Sequence, residues 1–143
     1  MGVKVNIKSL NPKGFQNYTK SLEKKVKDKI NIAGLLVMNT AIDSIRGGGK
    51  SGLVYEKYSP RRTHRSSAAG QAPASDTGVL AGMISLNLTE NNMVAEVESK
   101  AKYSIHLEFG TQNMKARPFM FPALEENKPK IRRMFATIKG KAK

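Results

Sequence analysis

The sequence predicts an α+β fold, in which a long N-terminal helix and a C-terminal helix pack on a small antiparallel β-sheet, with a long basic loop between the first helix and the sheet. Three observations carry this. A three-four apolar period runs through residues 14–46, a strict alternation begins at Ile84, and a second helical period closes the chain over 122–138. At 143 residues the chain suits a single domain.

In the first helix, Leu22, Val26, Ile30, Ala33, Val37, Ala41 and Ile45 recur at steps of four and three and share one stripe. Ile32, Leu35 and Leu36 widen the apolar face in the second half, so that half is expected to be the more deeply buried. Lys20, Lys24, Lys25, Lys27 and Lys29 fall mostly off the stripe. They read as a solvated outer face, with a membrane-surface or DNA-facing helix as the other reading. Gly34 interrupts the pattern at a cost of about 1 kcal/mol against Ala, and either admits close packing or marks a break. Gly47-Gly48-Gly49 ends the helix.

Residues 47–75 show no usable period and are expected to form a flexible basic loop. Lys50, Lys57, Arg61, Arg62, His64 and Arg65 lie there against a single acid, Glu56. So long a structureless stretch is uncommon in a compact domain. It reads as an arm that orders on assembly or on DNA, or else as a tolerated insertion. Tyr55 and Tyr58 suit base stacking or local turn packing equally.

The sheet region is expected over 76–121. Asp76 is a candidate N-cap for a short helical turn. Ile84, Leu86 and Leu88 alternate with polar residues, Glu90-Asn91-Asn92 is a turn signal, and Met93, Ala95 and Val97 alternate again. Tyr103, Ile105, Leu107 and Phe109 suggest a third strand closed by Gly110, followed by an extended piece Phe119-Met120-Phe121. Pro122 suits the first turn of the last helix. That helix presents Leu124, Ile131, Met134, Phe135 and Ile138, with Asn127 or Lys128 filling one step. Pro129 should kink it or move its start to about Lys128. Residues 139–143 are expected to fray.

The charge is strongly one-sided: 25 Lys+Arg against 11 Asp+Glu give +14 at pH 7. Such a balance favours nucleic acid, a membrane surface or an acidic protein as partner, without choosing among them. The absence of cysteine excludes thiolate nucleophiles, disulfide scaffolds and Cys-ligated metals. The longest apolar run, Leu35 to Met38, is far below the ~20 residues a membrane span needs. Residues 1–13 carry lysines but no apolar stretch of the signal-peptide kind, so a cytoplasmic product is the default expectation.

Enzymatic signatures are missing. His64 lies among arginines, and His106 shares its expected strand face with Glu108 but lacks the further ligand a metal site needs, with no HxxxH or HExxH in the chain, so both read as surface or edge residues. No GxSxG or GxGxxG occurs. Gly47-Gly48-Gly49-Lys50-Ser51 shares the GKS ending of a phosphate loop but lacks the upstream Gly and follows a helix. No enzyme, cofactor or metal is expected.

The most specific stretch runs Tyr103-Ser-Ile-His-Leu-Glu108-Phe109-Gly110-Thr111, then Ala116-Arg117-Pro118-Phe119, then Pro122-Ala123-Leu124. It resembles the tail-completion, or head–tail joining, family of long-tailed bacteriophages and prophages. That family carries a Tyr, then Glu-Phe-Gly-Thr, Ala-Arg-Pro-Phe and Pro-Ala-Leu, in this order and leading into a C-terminal helix. The segment Gly70-Gln-Ala-Pro73 through Thr77-Gly78-Val79-Leu80 is similar to the family's Gly-x-x-Pro…Thr-Gly-x-Leu element. With the N-terminal helix before these matches and the C-terminal helix after them, the resemblance covers roughly residues 15–138.

The resemblance implies a structural virion protein of the neck, joining the DNA-filled head to the tail tube. It would assemble with itself in a ring, expected to be a hexamer, beside connector or stopper proteins and tail terminator or tail tube proteins. It would reside in host cytoplasm before assembly and in the virion afterwards, with genomic DNA as a further contact and no membrane partner. Glu108, Phe109, Gly110, Thr111, Arg117, Pro118, Phe119 and Phe121 are the candidate subunit or partner interface. Arg117 can hold a carboxylate through paired hydrogen bonds, and Glu108 is one partner for it, within a subunit or across a ring joint. Phe119 is either core or a neighbour's anchor. Arg46, Lys50, Lys57, Arg61, Arg62 and Arg65 are candidate contacts for DNA or an acidic partner. A tail terminator capping the tube, and a nonspecific DNA-binding protein, are the alternative functions.

Overall fold

A computed structural model describes residues 12–138, and the expected frayed tail 139–143 and most of the N-terminal stretch read for a signal peptide lie outside the described residues. The order is α1 (Pro12–Arg46), β1 (Val54–Tyr58), β2 (Arg61–Arg65), α2 (Val79–Gly82), β3 (Ile84–Thr89), β4 (Val94–Ser99), α3 (Ser104–Phe109) and α4 (Met120–Ala136). The chain has an α+β fold, with the long helix against a small antiparallel sheet and the C-terminal helix packed on the long helix.

Helix α1 is the spine, packing on α4, on β3–β4 and on α2. Its second half is the buried half, as its apolar stripe predicts. Val37, Ala41 and Ile45 enter a core with Leu80, Ala81, Ile84, Ala101, Phe119 and Ala123. Ile32 and Leu35, expected to widen the buried face, are exposed. They lie to the side of the stripe that meets the sheet. Gly34 admits close packing and marks no break. A Cβ there would sit 2.5 Å from Leu86 Cδ1 and 3.0 Å from Ala95 Cβ, so a side chain would force Leu86 and Ala95 to shift. The helix stops at Arg46, where Gly47 N–H still donates to the Asp43 carbonyl (2.7 Å) before the chain turns away.

Strands β3 and β4 form the expected hairpin, with Ile84↔Ser99, Leu86↔Val97 and Leu88↔Ala95 on one face. Its turn uses Glu90, Asn91 and Asn92 at φ 49°, 57° and 65°, a left-handed run that Asn tolerates better than most residues. Residues 47–75 are not a loop throughout. They contain the antiparallel hairpin β1–β2, paired from Val54↔Arg65 to Tyr58↔Arg61, with a cis Ser59–Pro60 bond at its tip. Both strands are mostly exposed. A hairpin without a buried face carries no apolar alternation, so the usual strand signal is missing.

The expected third strand is instead the short helix α3. Of its alternating apolar residues only Leu107 packs against the core, while Ile105 and Phe109 stay on the surface. The alternation recorded surface apolar residues rather than one buried face. The two sheets therefore remain two-stranded and separate.

Helix α4 begins at Met120 rather than Pro122 and runs unbroken through Pro129 to Ala136. Phe119-Met120-Phe121 is thus a helix start and not an extended piece. Pro129 is exposed, while its neighbours Asn127 and Ile131 hold the helix to α1 and the core. Asn127 is fully buried and donates from Nδ2 to Thr40 Oγ1 and to the Ala123 carbonyl, both at 2.8 Å. The other end is tied by Lys29, whose amine donates to the Met134 carbonyl (2.6 Å) and to Thr137 Oγ1 (3.0 Å). A cation at a helix C-terminus also meets the negative end of its dipole. Lys29 is therefore part of the packing, unlike the solvated lysines expected of this helix.

Gly34→Val should destabilise the fold by about 1–3 kcal/mol through overpacking against Leu86 and Ala95. Gly48→Ala, where an added Cβ meets nothing within 4 Å, should be near neutral. Urea unfolding with an unchanged slope checks both.

Candidate assembly surface

The Glu108-to-Phe121 segment folds into one corner. Glu108 projects from α3 to the N-terminus of α4. Its Oε2 accepts from the N–H groups of Phe119 (2.9 Å) and Met120 (3.1 Å), and its Oε1 from Phe121 (2.8 Å). These donors have no partner inside the helix, and a carboxylate also complements the positive end of the dipole. Gly110 then turns the chain at φ 79°, ψ −178°, a region essentially reserved for glycine. A Cβ there would lie 2.7 Å from the Met114 carbonyl oxygen. Thr111 and Met114 close the following turn by donating to each other's carbonyls. The turn brings Arg117 back, so that its N–H donates to the Leu107 carbonyl (2.7 Å).

Arg117 does not pair with Glu108. Its Nε donates to the Ser67 carbonyl (3.2 Å), because Glu108 is already occupied by three main-chain donors. Arg117 therefore ties the corner to the segment that follows β2, and Ser67 is itself buried. Pro118 leads into Phe119, which is 1% exposed and belongs to the core. Phe109 (78% exposed) and Phe121 (63%) face outward.

Phe109, Phe121 and Ile105 border an apolar groove of about 690 Å³ between α1, β4, α3 and α4. Ile30, Gly34 and Val37 of α1 line its other side. Among the described residues the ionisable ones that line it are Glu98 and Glu108, and no described lysine or arginine does, although the chain as a whole is strongly basic. The groove offers apolar contact. Among the described residues no cluster of three His, Cys, Asp or Glu is placed to hold a metal ion, and no helix is long and apolar enough to cross a membrane.

The basic candidates lie elsewhere, on and around β1–β2, and several are already engaged. Asp76 is the hub. It does not cap α2, whose N-cap position is Gly78 with no side-chain cap bond. Instead its carboxylate takes Lys57 and, at 2.7 Å, the guanidinium of Arg62, with His64 Nδ1 at 3.8 Å. Lys50 donates to the Ser44 (2.7 Å) and Ala72 (2.8 Å) carbonyls, and its burial pushes its pKa below the usual lysine range. Arg61 lies 4.0 Å from Glu56, with both side chains exposed. Arg46 and Arg65 flank a shallow hollow at the end of α1. Tyr55 and Tyr58 are exposed on the same hairpin.

Sequence reasoning missed Lys29, Asp76 as an ion-pair centre, Ser67 and the buried role of Asn127. Only Asn127 left a signal, as the one polar step in an apolar stripe.

The hydrogen bond from Lys57, aided by the charges of Arg62, Lys57 and His64, holds the Asp76 carboxyl below its ordinary value of 3.8. A depressed carboxylate stabilises the fold above the unfolded-state pKa and loses that contribution as pH falls through the folded value. Asp76→Asn should therefore lower the melting temperature at neutral pH and speed amide exchange across 54–65. The difference from the parent should shrink as the pH is taken below 3.8. A pH series of paired melts reads it.

No family model, curated protein or solved structure matches the chain.

Proposed function

We propose that this protein is a structural component of the neck of a long-tailed phage or prophage particle, a ring subunit joining the DNA-filled head to the tail tube. One observation carries the reading beyond the motif order itself. The residues of the resembling segment are spent on building a corner, and that corner turns Ile105, Phe109 and Phe121 outward around an apolar groove. Buried apolar and aromatic contact is what a subunit joint uses, whereas catalysis needs convergent polar groups. A head-to-tail contact of one such surface with a different one on the next copy closes into a ring. Six copies, with connector or stopper and tail terminator or tube proteins as neighbours, follow from the family resemblance. So does residence in the virion neck after assembly in the host cytoplasm.

The exposed Arg46, Arg61 and Arg65 favour one secondary reading, contact with DNA passing through the ring. Affinity for duplex DNA that falls steeply with salt would support that contact. With Lys50, Lys57 and Arg62 engaged by partners within the chain, their removal should weaken DNA binding less than removal of Arg46, Arg61 and Arg65.

Electron microscopy of lysates from a phage deleted for this reading frame tests the function. The joining role predicts filled heads beside separate tails of normal length. Tails of uncontrolled length would replace it with the tail terminator. Normally joined particles would discard both neck roles and leave DNA binding to be pursued.

A further inference from the structure

The apolar groove runs beside an open sheet edge. Among the described residues β4 pairs only with β3. The Lys100 N–H donates to the Met83 carbonyl (2.9 Å), which fixes the alternation of the antiparallel pair. By that alternation the main chain of Val94, Glu96 and Glu98 faces β3, and that of Ala95, Val97 and Ser99 faces outward. Ala95, Val97 and Ser99 are also the β4 residues whose side chains share the face toward α1 and line the groove. The Ser99 hydroxyl is buried there without a partner. An edge of this kind, beside an apolar trough, is a template for an added strand.

The sequence ahead of α1 has the matching pattern. Val3, Val5 and Ile7 alternate with Lys4, Asn6 and Lys8. Laid beside β4, such a segment would turn its three apolar residues into the groove. Its lysines would fall on the opposite face of the strand, beside Glu96 and, at the rim of the groove, Glu98. Glu96 has no hydrogen bond or ion pair among the described residues, and Glu98 uses Oε1 for Asn87 and Lys100. Opposite charges across neighbouring strands fix register as well as partner.

The same chain cannot lay this segment along its own β4. Ala95 lies at the level of Gly34, against which it packs. Gly34 is about 33 Å along α1 from Pro12 at 1.5 Å per residue. The nine residues from Val3 to Pro12 span at most ~32 Å when fully extended, which leaves nothing to lie along β4.

We infer that residues 3–8 of a second copy add as a strand to the open edge of β4, seating Val3, Val5 and Ile7 in the groove. This deepens the ring reading above and rests on it for closure of the ring. Each copy donates at one end and accepts at another, so the contact is heterologous and repeats from subunit to subunit.

The test uses the full chain, with unlabelled and ¹⁵N-labelled protein mixed and treated with a carbodiimide, which joins a lysine amine to a carboxylate in direct contact. Mass spectrometry should find Lys4 or Lys8 joined to Glu96 or Glu98 in peptides of mixed label. Val5→Asp combined with Ile7→Asp should abolish these cross-links and lower the assembled mass in sedimentation, with the melting transition retained. Same-label cross-links alone, no such cross-links, or unchanged assembly of the double variant would each overturn the inference. The deletion lysates do not depend on residues 3–8. Separated heads and tails without mixed cross-links would keep the neck role and remove this joint. Mixed cross-links with normally joined particles would keep the joint and remove the neck role.

Discussion

Three main-chain N–H groups at the start of α4 converge on a single carboxylate, Glu108, and most of the candidate surface is arranged around that contact. A helix begins with donors that it cannot satisfy itself, and leaving them buried and unpaired costs free energy. Glu108 meets three of them from a different helix. It therefore fixes α3 against α4 as well as starting α4. Phe119, the first of the three donors, is driven into the core by the same geometry, and Phe121 is turned out. Gly110 and Arg117 serve this contact. The first lets the chain reverse between α3 and α4, and the second anchors the returning strand of backbone to Ser67.

The distribution of charge follows from how the remaining cations are used. Lys29 closes the far end of α4, Lys50 bridges the end of α1 to residue 72, and Lys57 and Arg62 share Asp76. Part of the basic excess is thereby structural. The groove is the opposite case, apolar with two glutamates and no cation among the described residues that line it. A surface meant for DNA would not be built this way, whereas a joint between protein copies would exclude charge from its centre and keep it at the rim. The basic hairpin β1–β2 stands on Asp76, so its position depends on a small set of charged contacts rather than on apolar burial.

The sequence made the buried elements legible and the exposed ones not. Helix α1 and the β3–β4 hairpin each have one buried face, so their periods of 3.6 and 2 appear directly in the order of apolar residues. The hairpin β1–β2 has no buried face and left no such record. Tyr103, Ile105, Leu107 and Phe109 misled for a related reason. Alternation implies a strand only when one face is buried, and in α3 two of these side chains are apolar residues at the surface. Glu108 and Arg117 were recognisable as functional candidates through the resembling motif. Their partners were not, because Glu108 binds main-chain groups eleven to thirteen residues away and Arg117 a carbonyl fifty residues away. Main-chain partners carry no sequence signature.

The central claim is that the Glu108 carboxylate holds the corner on which the candidate surface is built. Hydrogen exchange at the Phe119, Met120 and Phe121 amides, compared between the parent and Glu108→Ala, tests it most directly. The account predicts a loss of protection at those three amides worth about 2 kcal/mol, with α1 around Val37–Ile45 still protected. Unchanged exchange at the three amides would contradict it.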